Sequence, residues 1–572
     1  MISKLLTLLL ITIGISPLLA QDYDEDYFRS PVDHVMRLSG SFAELRTNHF
    51  HMGIDIKSTN GRPGDPILAA ADGYVSRINV DASGYGNALY IDHPNGYTTV
   101  YAHLSAFEKN LAEHINTKQH ESKTFQQQLY PDSLFYVTKG DIIGYMGNTG
   151  KSFGPHLHFE IRETDSETPV NPFLFGLKPS DNRPPVFQAI KFYKSDSTGN
   201  FTSILEKKIK LKSKGLYTVG DEIIIVPTDQ IAISVQVYDQ MDGAYNKNGV
   251  YLMKLLVNDQ VQHGYKLDRV SYEEGHFINS FIDYGEKQMS KRQFSNCFTH
   301  PVDQLSIYEH KPDRSGMIKL QSDKATNVKI VLQDFHGNES EINLKLKSTD
   351  TEEIINQEEG NYNLQFGEKN IIRLPRSEII FDEASFLNNK LIHITEGSGI
   401  VDGHNLPDFH IGKATTPIFK PYELYIKGLS IPDSLKTHFC LVKCGEKSTT
   451  ALKGVWQDSI YFVEMKSLGS YQCSLDMTPP KIEVINLKRK MTQGMTIKFK
   501  ITDELEPASK KDRLRYVGKI DGKWVLFKYD LKNELIYHTL DDKHPPGEHI
   551  LHLSVNDNRG NKSTFSYQFT QF

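Results

Sequence analysis

From about residue 30 to 176, short apolar runs alternate with glycine-bearing turn signals, and this restricts the fold more than any other feature of the chain. ILAAADGYVSRINV, NALYIDHPNGYTTVYAHLS, DIIGYMGN and HLHFEIRE each have strand length and strand composition. Asp72-Gly73 and Asn95-Gly96 are residue pairs of the hairpin type. The region is therefore expected to be strands joined by turns. The exception is Glu108 to Leu134, polar and mostly free of Gly, Pro and β-branched runs. Its first half is expected to be a helix inserted between two strands.

The remainder also reads as β structure. Phe (30) and Tyr (28) far outnumber Trp (2) among the aromatics, a bias that favours strands. The 572 residues allow roughly four domains. Proline-bearing, polar linker composition marks a boundary near Lys178, and Pro479-Pro480 marks another. After each Pro-Pro comes a strand-like run, VFQAIKFY and KIEVINLK. Near the end of each unit lies Asp-x-x-Gly-Asn-x-Ser, with Asp334, Gly337 and Asn338 matching Asp557, Gly560 and Asn561. This internal similarity predicts two Ig-like β-sandwiches, 180–349 and 477–572, on either side of a third β-rich domain, 350–476. The two aspartates are expected to stabilise turns rather than bind calcium.

Residues 1–20 read as a signal peptide: Lys4, an apolar run from Leu5 to Ile15, a Ser-Pro break and Ala20 before an acidic start. Nothing further along has the apolar length of a membrane span. Export is therefore expected, to the periplasm, with the cell surface or secretion as alternatives, and no stable membrane span once the signal is cleaved. Basic (65) and acidic (71) residues nearly balance and form no basic block, which argues against a nucleic-acid partner. The four cysteines are too few for a disulfide scaffold, and Cys440 and Cys444 lack the second pair that a zinc ribbon needs.

The chemistry lies in three histidine clusters of the first unit: His49-Phe50-His51-Met52-Gly53-Ile54-Asp55, Tyr101-Ala102-His103-Leu104-Ser105 and Gly154-Pro155-His156-Leu157-His158-Phe159-Glu160. Alternate residues of a strand share a face, so His156 and His158 face one site while Leu157 turns to the core. His51, Asp55 and His158 form a three-ligand set for Zn²⁺ with a fourth position open, as in catalytic rather than structural zinc sites. His156 then stands where a base could take a proton from a zinc-activated water. His103 could orient that water or stabilise an oxyanion. Glu160 follows His158 along the same strand, with a supporting role and plain packing both open. His93 reads as a turn or supporting residue, His114 and His120 as exposed, and His300, His310, His336 and His410 have no ligand-like partners in sequence.

His-x-Gly-x-Asp, Gly-Tyr-Gly-Asn, Tyr-Ala-His-Leu-Ser, Gly-Asn-Thr-Gly and Gly-Pro-His-Leu-His-Phe-Glu occur in this order. Over residues 38–176 the chain resembles the lysostaphin/LytM-type zinc metalloendopeptidases, which cut peptide bridges of bacterial peptidoglycan. The resemblance implies one Zn²⁺ per chain on His51, Asp55 and His158, with His156 as catalytic base and His103 as second active-site histidine. It implies a small antiparallel β peptidase domain over 21–178, carrying the insertion 108–134, and peptidoglycan peptides as substrate. The sequence departs from the family in placing His49 where an Arg often precedes the first ligand, with Arg46 standing earlier. It also has Phe42 and Leu45 where some members carry a tyrosine. The alternatives are a catalytically silent or gated regulator of other wall hydrolases, and an adhesion or assembly protein. In these the C-terminal β domains would engage a protein partner.

Overall fold

The computed structural model describes residues 23–572 except 197–198, 301–302, 311–315, 350–359, 446–449 and 508–512. The signal-peptide reading of residues 1–20 lies outside the described residues. Strands dominate throughout. Among the described residues no helix is long and apolar enough to cross a membrane.

In the first unit the strands are β1 (Leu38–Gly40), β2 (Ile54–Lys57), β3 (Pro66–Leu68), β4 (Gly73–Val80), β5 (Asn87–Asp92), β6 (Tyr97–Ala102), β7 (Ala106–Phe107), β8 (Gln127–Leu129), β9 (Tyr136–Val137), β10 (Ile142–Tyr145), β11 (His156–Glu163) and β12 (Pro169–Val170). The main sheet runs β1-β2-β11-β6-β5-β4-β8, and β3-β10-β7 form a second, small sheet. Within β11, Leu157, Phe159 and Ile161 are wholly buried in the core, each worth about 1.5–3 kcal/mol relative to exposure. That burial fixes the register and turns His156, His158, Glu160 and Arg162 to the opposite face.

Asn95-Gly96 turns β5 into β6 as expected, with Gly96 at φ 81°. Asp72-Gly73 does not make a hairpin. Gly73 opens β4, and glycine is required there because a Cβ would lie 2.4 Å from the Asp92 carbonyl oxygen. The insertion holds the expected helix, α1 (Lys109–Ser122). Glu108 caps its N-terminus, Leu111, Ile115 and Gln119 form its buried stripe, and Lys123 ends it in the left-handed region.

The later units are layered sheets. The second has a five-stranded and an eight-stranded sheet, the third mainly a five- and a six-stranded sheet, and the last a four- and a five-stranded sheet. The Pro-Pro segments lead into strands Val186–Ser195 and Lys481–Asn486, and each Asp-x-x-Gly-Asn turn joins two long antiparallel strands. One buried core extends from Phe28 to Leu346 across the first two units. The polar stretch near Lys178 is therefore part of a packed joint, with Phe173 on Phe335 and Asn171 bonded to Asp268 and Leu267. Cys297, Cys440, Cys444 and Cys473 are all free thiols.

Candidate metal centre

Strand β11 pairs with β2 on one side and β6 on the other, and this pairing assembles the site. His158 lies opposite Asp55 on β2 and opposite Ala102, the residue before His103. His51 reaches in from the segment between β1 and β2. His51 Nε2, Asp55 Oδ1 and His158 Nδ1 are 2.9–3.0 Å from one another. His156 Nε2 stands 3.4 Å from the same Asp55 oxygen. The His103 ring lies 4.8 Å from that of His156. The five residues singled out in the sequence thus share one place.

Hydrogen bonds to the outer ring nitrogens settle which way the lone pairs point. His51 Nδ1 donates to the Ser41 carbonyl at 2.8 Å, which leaves Nε2 as the acceptor side of a neutral ring. His158 Nε2 donates to Glu160 Oε1 at 2.7 Å, leaving Nδ1 inward. His156 Nδ1 donates to the Gly154 carbonyl and His103 Nδ1 to the Thr149 carbonyl, both at 2.8 Å. Two imidazole nitrogens and a carboxylate oxygen therefore converge within 3.0 Å, an arrangement that needs a shared positive charge, either a metal ion or a proton on His158. The spacing allows one small ion to bond all three at about 2.0–2.2 Å, the zinc range for these donors. The donor set fits zinc, and each ligand has the outer partner that metal-bound histidines use.

Electrostatics point the same way. Burial opposes ionisation of Asp55, but His51, His156 and His158 hold its carboxyl well below the usual range. Burial lowers the His158 pKa, and the Asp55 and Glu160 carboxylates more than offset this, raising it to about 9. A metal and a proton thus compete for His158 Nδ1. His103, buried and beside His156 and His158, is pushed down to about 3, which keeps its ring neutral. It sits at φ 64°, an uncommon conformation for a residue other than glycine.

Arg46 and Tyr272 had no role in the sequence reading, and Glu160 only an open one. Arg46 Nη2 donates to the second oxygen of Asp55 at 2.9 Å, so this arginine reaches the site from outside the expected position. Gly40 makes room for it, since a Cβ there would lie 2.5 Å from Arg46 Nη2. Glu160 is fully buried and also accepts from Tyr85, Arg162 and Tyr272. Arg162 and Glu160 were legible, because His-x-His-x-Glu-x-Arg is one strand face. Tyr272 was not, because it comes from the second unit. His93 bonds to the Asp72 carbonyl and to Thr99, away from the site. His114 and His120 are half-buried rather than exposed. The His120 ring meets Trp524 of the last unit edge-on at 5.3 Å.

Residues 49–128 and 133–172 match Peptidase family M23. This stretch is an M23 peptidase domain. The DD-carboxypeptidase/endopeptidase Mpg of Neisseria meningitidis serogroup B (strain MC58) is 39% identical over 133 residues, 23% of this chain and 24% of that protein. The peptidoglycan DD-endopeptidase ShyC of Vibrio cholerae is 33% identical over 141 residues, 24% of this chain and 26% of that protein. The catalytic domain of lysostaphin from Staphylococcus simulans aligns with 25% of this chain and 93% of its own, at 22% identity and a TM-score of 0.19. The chain spans about a quarter of the length of the curated relatives it matches.

Proposed function

We propose that this chain is an exported zinc metalloendopeptidase that hydrolyses peptide cross-links or stem peptides of peptidoglycan in the periplasm. The observation that carries the reading is the convergence of three anchored lone-pair donors at His51, Asp55 and His158 inside an M23 domain. The peptidoglycan endopeptidases among its relatives support the substrate class. Zinc held there would polarise the scissile carbonyl and lower the pKa of a water.

The remaining steps belong to the chain. His156, held by the Gly154 carbonyl, turns Nε2 to the site, 3.4 Å from Asp55 Oδ1, and takes the proton as general base. His103, kept neutral and fixed by Thr149, orients the water or the developing oxyanion. Ser41 and Glu160 fix the ring orientation of the two histidine ligands.

A gated form of the same enzyme is the second reading. Lys532 of the last unit donates to the carbonyls of Asn148 and of Ser152, 3.2 Å from the latter, and Ser152 Oγ lies 3.3 Å from His156 Nδ1. The helical insertion also faces that unit across a cleft of about 730 Å³ that reaches Tyr85. Under this reading Lys532→Ala raises turnover on cross-linked substrate, and unchanged turnover removes Lys532 as a latch.

The deciding experiment is digestion of purified cross-linked peptidoglycan by the full chain, with and without chelator, followed by mass spectrometry. Chelator-sensitive loss of cross-linked dimers is expected. Absence of cleavage by both zinc-loaded wild type and Lys532→Ala would reject the enzyme in favour of a silent regulator.

A further inference from the structure

The two Asp-x-x-Gly-Asn-x-Ser turns make the same bonds. Asn338 donates through its backbone to Asp334 Oδ1 (2.9 Å) and through its side chain to Asp334 Oδ2 (2.7 Å), while Asn561 makes the same pair of bonds to Asp557 at the same distances. Ser340 bonds to the Pro185 carbonyl and Ser563 to that of Pro480. The sequence match extends to a shared Asp-x-x-Pro-Pro, with Asp181 matching Asp476, and to the residue just after a long strand, Asp239 after Gln230–Tyr238 matching Asp503 after Thr496–Thr502. Each unit therefore brings three aspartates to one end of its sheets, a grouping that the short turn match did not foretell.

The units differ in how they answer this charge. In the last unit Arg559, only 2% exposed, lies among the acids with Nη1 3.2 Å from Asp476 Oδ2. The matching position in the second unit is His336. Ligand atoms of Asp181, Asp334 and His336 lie within 4.8 Å of one another. Asp181 and Asp239 are 6% and 3% exposed, and among the described residues neither Asp181 Oδ2 nor Asp239 Oδ1 has a hydrogen-bond partner. The side-chain amide of Asn248, whose backbone pairs with that of Asp239 across a β-bridge, is also buried and unpartnered among the described residues. Arg183, the nearby cation, turns its Nη2 to Gln240 Oε1 at 2.7 Å. Asp239, Asp334 and His336 border a cavity of about 20 Å³, room for one water-sized body.

We propose that Asp181, Asp334 and His336, with Asp239 beside them on the same cavity, form a second metal site that takes one divalent cation. Oxygen donors in this number favour a hard ion such as calcium, whereas the imidazole would draw manganese or zinc. Burial and the charges of Asp334 and Asp181 raise the Asp239 pKa to about 8, the strain a bound cation removes. Asp503, with Arg559 nearby, is raised only to about 6. The site borders the support of the first one: Gly249, next to Asn248, donates to Ser41 Oγ at 3.1 Å, and the Ser41 carbonyl holds His51.

The test titrates calcium, magnesium, manganese and zinc into the full chain already loaded with one equivalent of zinc, following heat of binding and Tm. One further equivalent of a divalent ion is expected, with a rise in Tm, and the ion that binds most tightly names the class. Asp239→Asn, nearly isosteric at a position with an unpartnered oxygen, should weaken that binding about tenfold or more. It should raise Tm in the cation-free chain, whereas Asp503→Asn should leave cation affinity unchanged. No second equivalent with any of the four ions overturns the proposal, whether or not the variants fold. Equal binding by wild type and Asp239→Asn overturns it as well, and assigns the cavity to water or a shared proton.

Discussion

At the histidine centre, the outer nitrogens of His51 and His158 are tied to the Ser41 carbonyl and Glu160, so their inner lone pairs face Asp55 across 3.0 Å. In the last unit Asp476, Asp503 and Asp557 also crowd together, but around the guanidinium of Arg559. Both places concentrate negative or electron-rich atoms away from water, where such a grouping requires a positive partner. One has its cation built into the chain and is closed chemically. The other leaves the position to an exchangeable ion, which is what catalysis needs. The difference teaches that the direction of the lone pairs, more than the count of acids or histidines, separates a site from a structural cluster.

Substitution tests that contrast directly. Asp55→Ala and His158→Ala should each abolish zinc binding and peptidoglycan cleavage, while His156→Ala keeps its zinc and loses turnover by about 10²–10⁴-fold. Metal analysis alongside a product assay checks both, and near-normal turnover of His156→Ala rejects its role as base. Arg559→Leu, which strands Asp476 without its partner, should cost about 3–5 kcal/mol of stability in denaturant unfolding. Zinc content should not change, because the guanidinium bonds to Asp476 and not to a residue of the zinc site.

Smaller effects probe the supports. Glu160→Gln should weaken zinc binding by about 10–100-fold, measured by competition with a chelating dye, with folding retained. The smallest effect concerns pH. The raised His158 pKa, about 9, means that its ion pairs stabilise the zinc-free chain fully below its unfolded value near 6.5. That contribution is lost as pH rises through about 9. Tm of the zinc-free chain should therefore fall between pH 6.5 and 9, and the zinc-loaded chain should lack that step because the ion replaces the proton.

Much of this was legible in the sequence because strand periodicity carries it. His156, His158, Glu160 and Arg162 lie two residues apart, and the buried Leu157, Phe159 and Ile161 between them fix which face is which. The same rule places the two Asp-x-x-Gly-Asn hairpins. Contacts made by distant segments were not legible. Tyr272 reaches Glu160 from 112 residues away, and Ser41 holds His51 through a backbone carbonyl that no side-chain pattern reports. Arg46 was visible but misaligned with the expected position, and only the fold of the segment before β2 brings it to Asp55. Asp72-Gly73 misled because a glycine chosen for close strand approach looks in sequence like one chosen for a turn.

The most direct test of the central claim is X-ray absorption at the zinc edge on the full chain carrying one equivalent of zinc, beside the Asp55→Ala/His158→Ala double variant. The account predicts a nitrogen and oxygen shell with the signature of two imidazoles, absent from the variant because it retains no zinc. A zinc that stays bound in the variant, or one ligated by sulfur in the wild type, would contradict it.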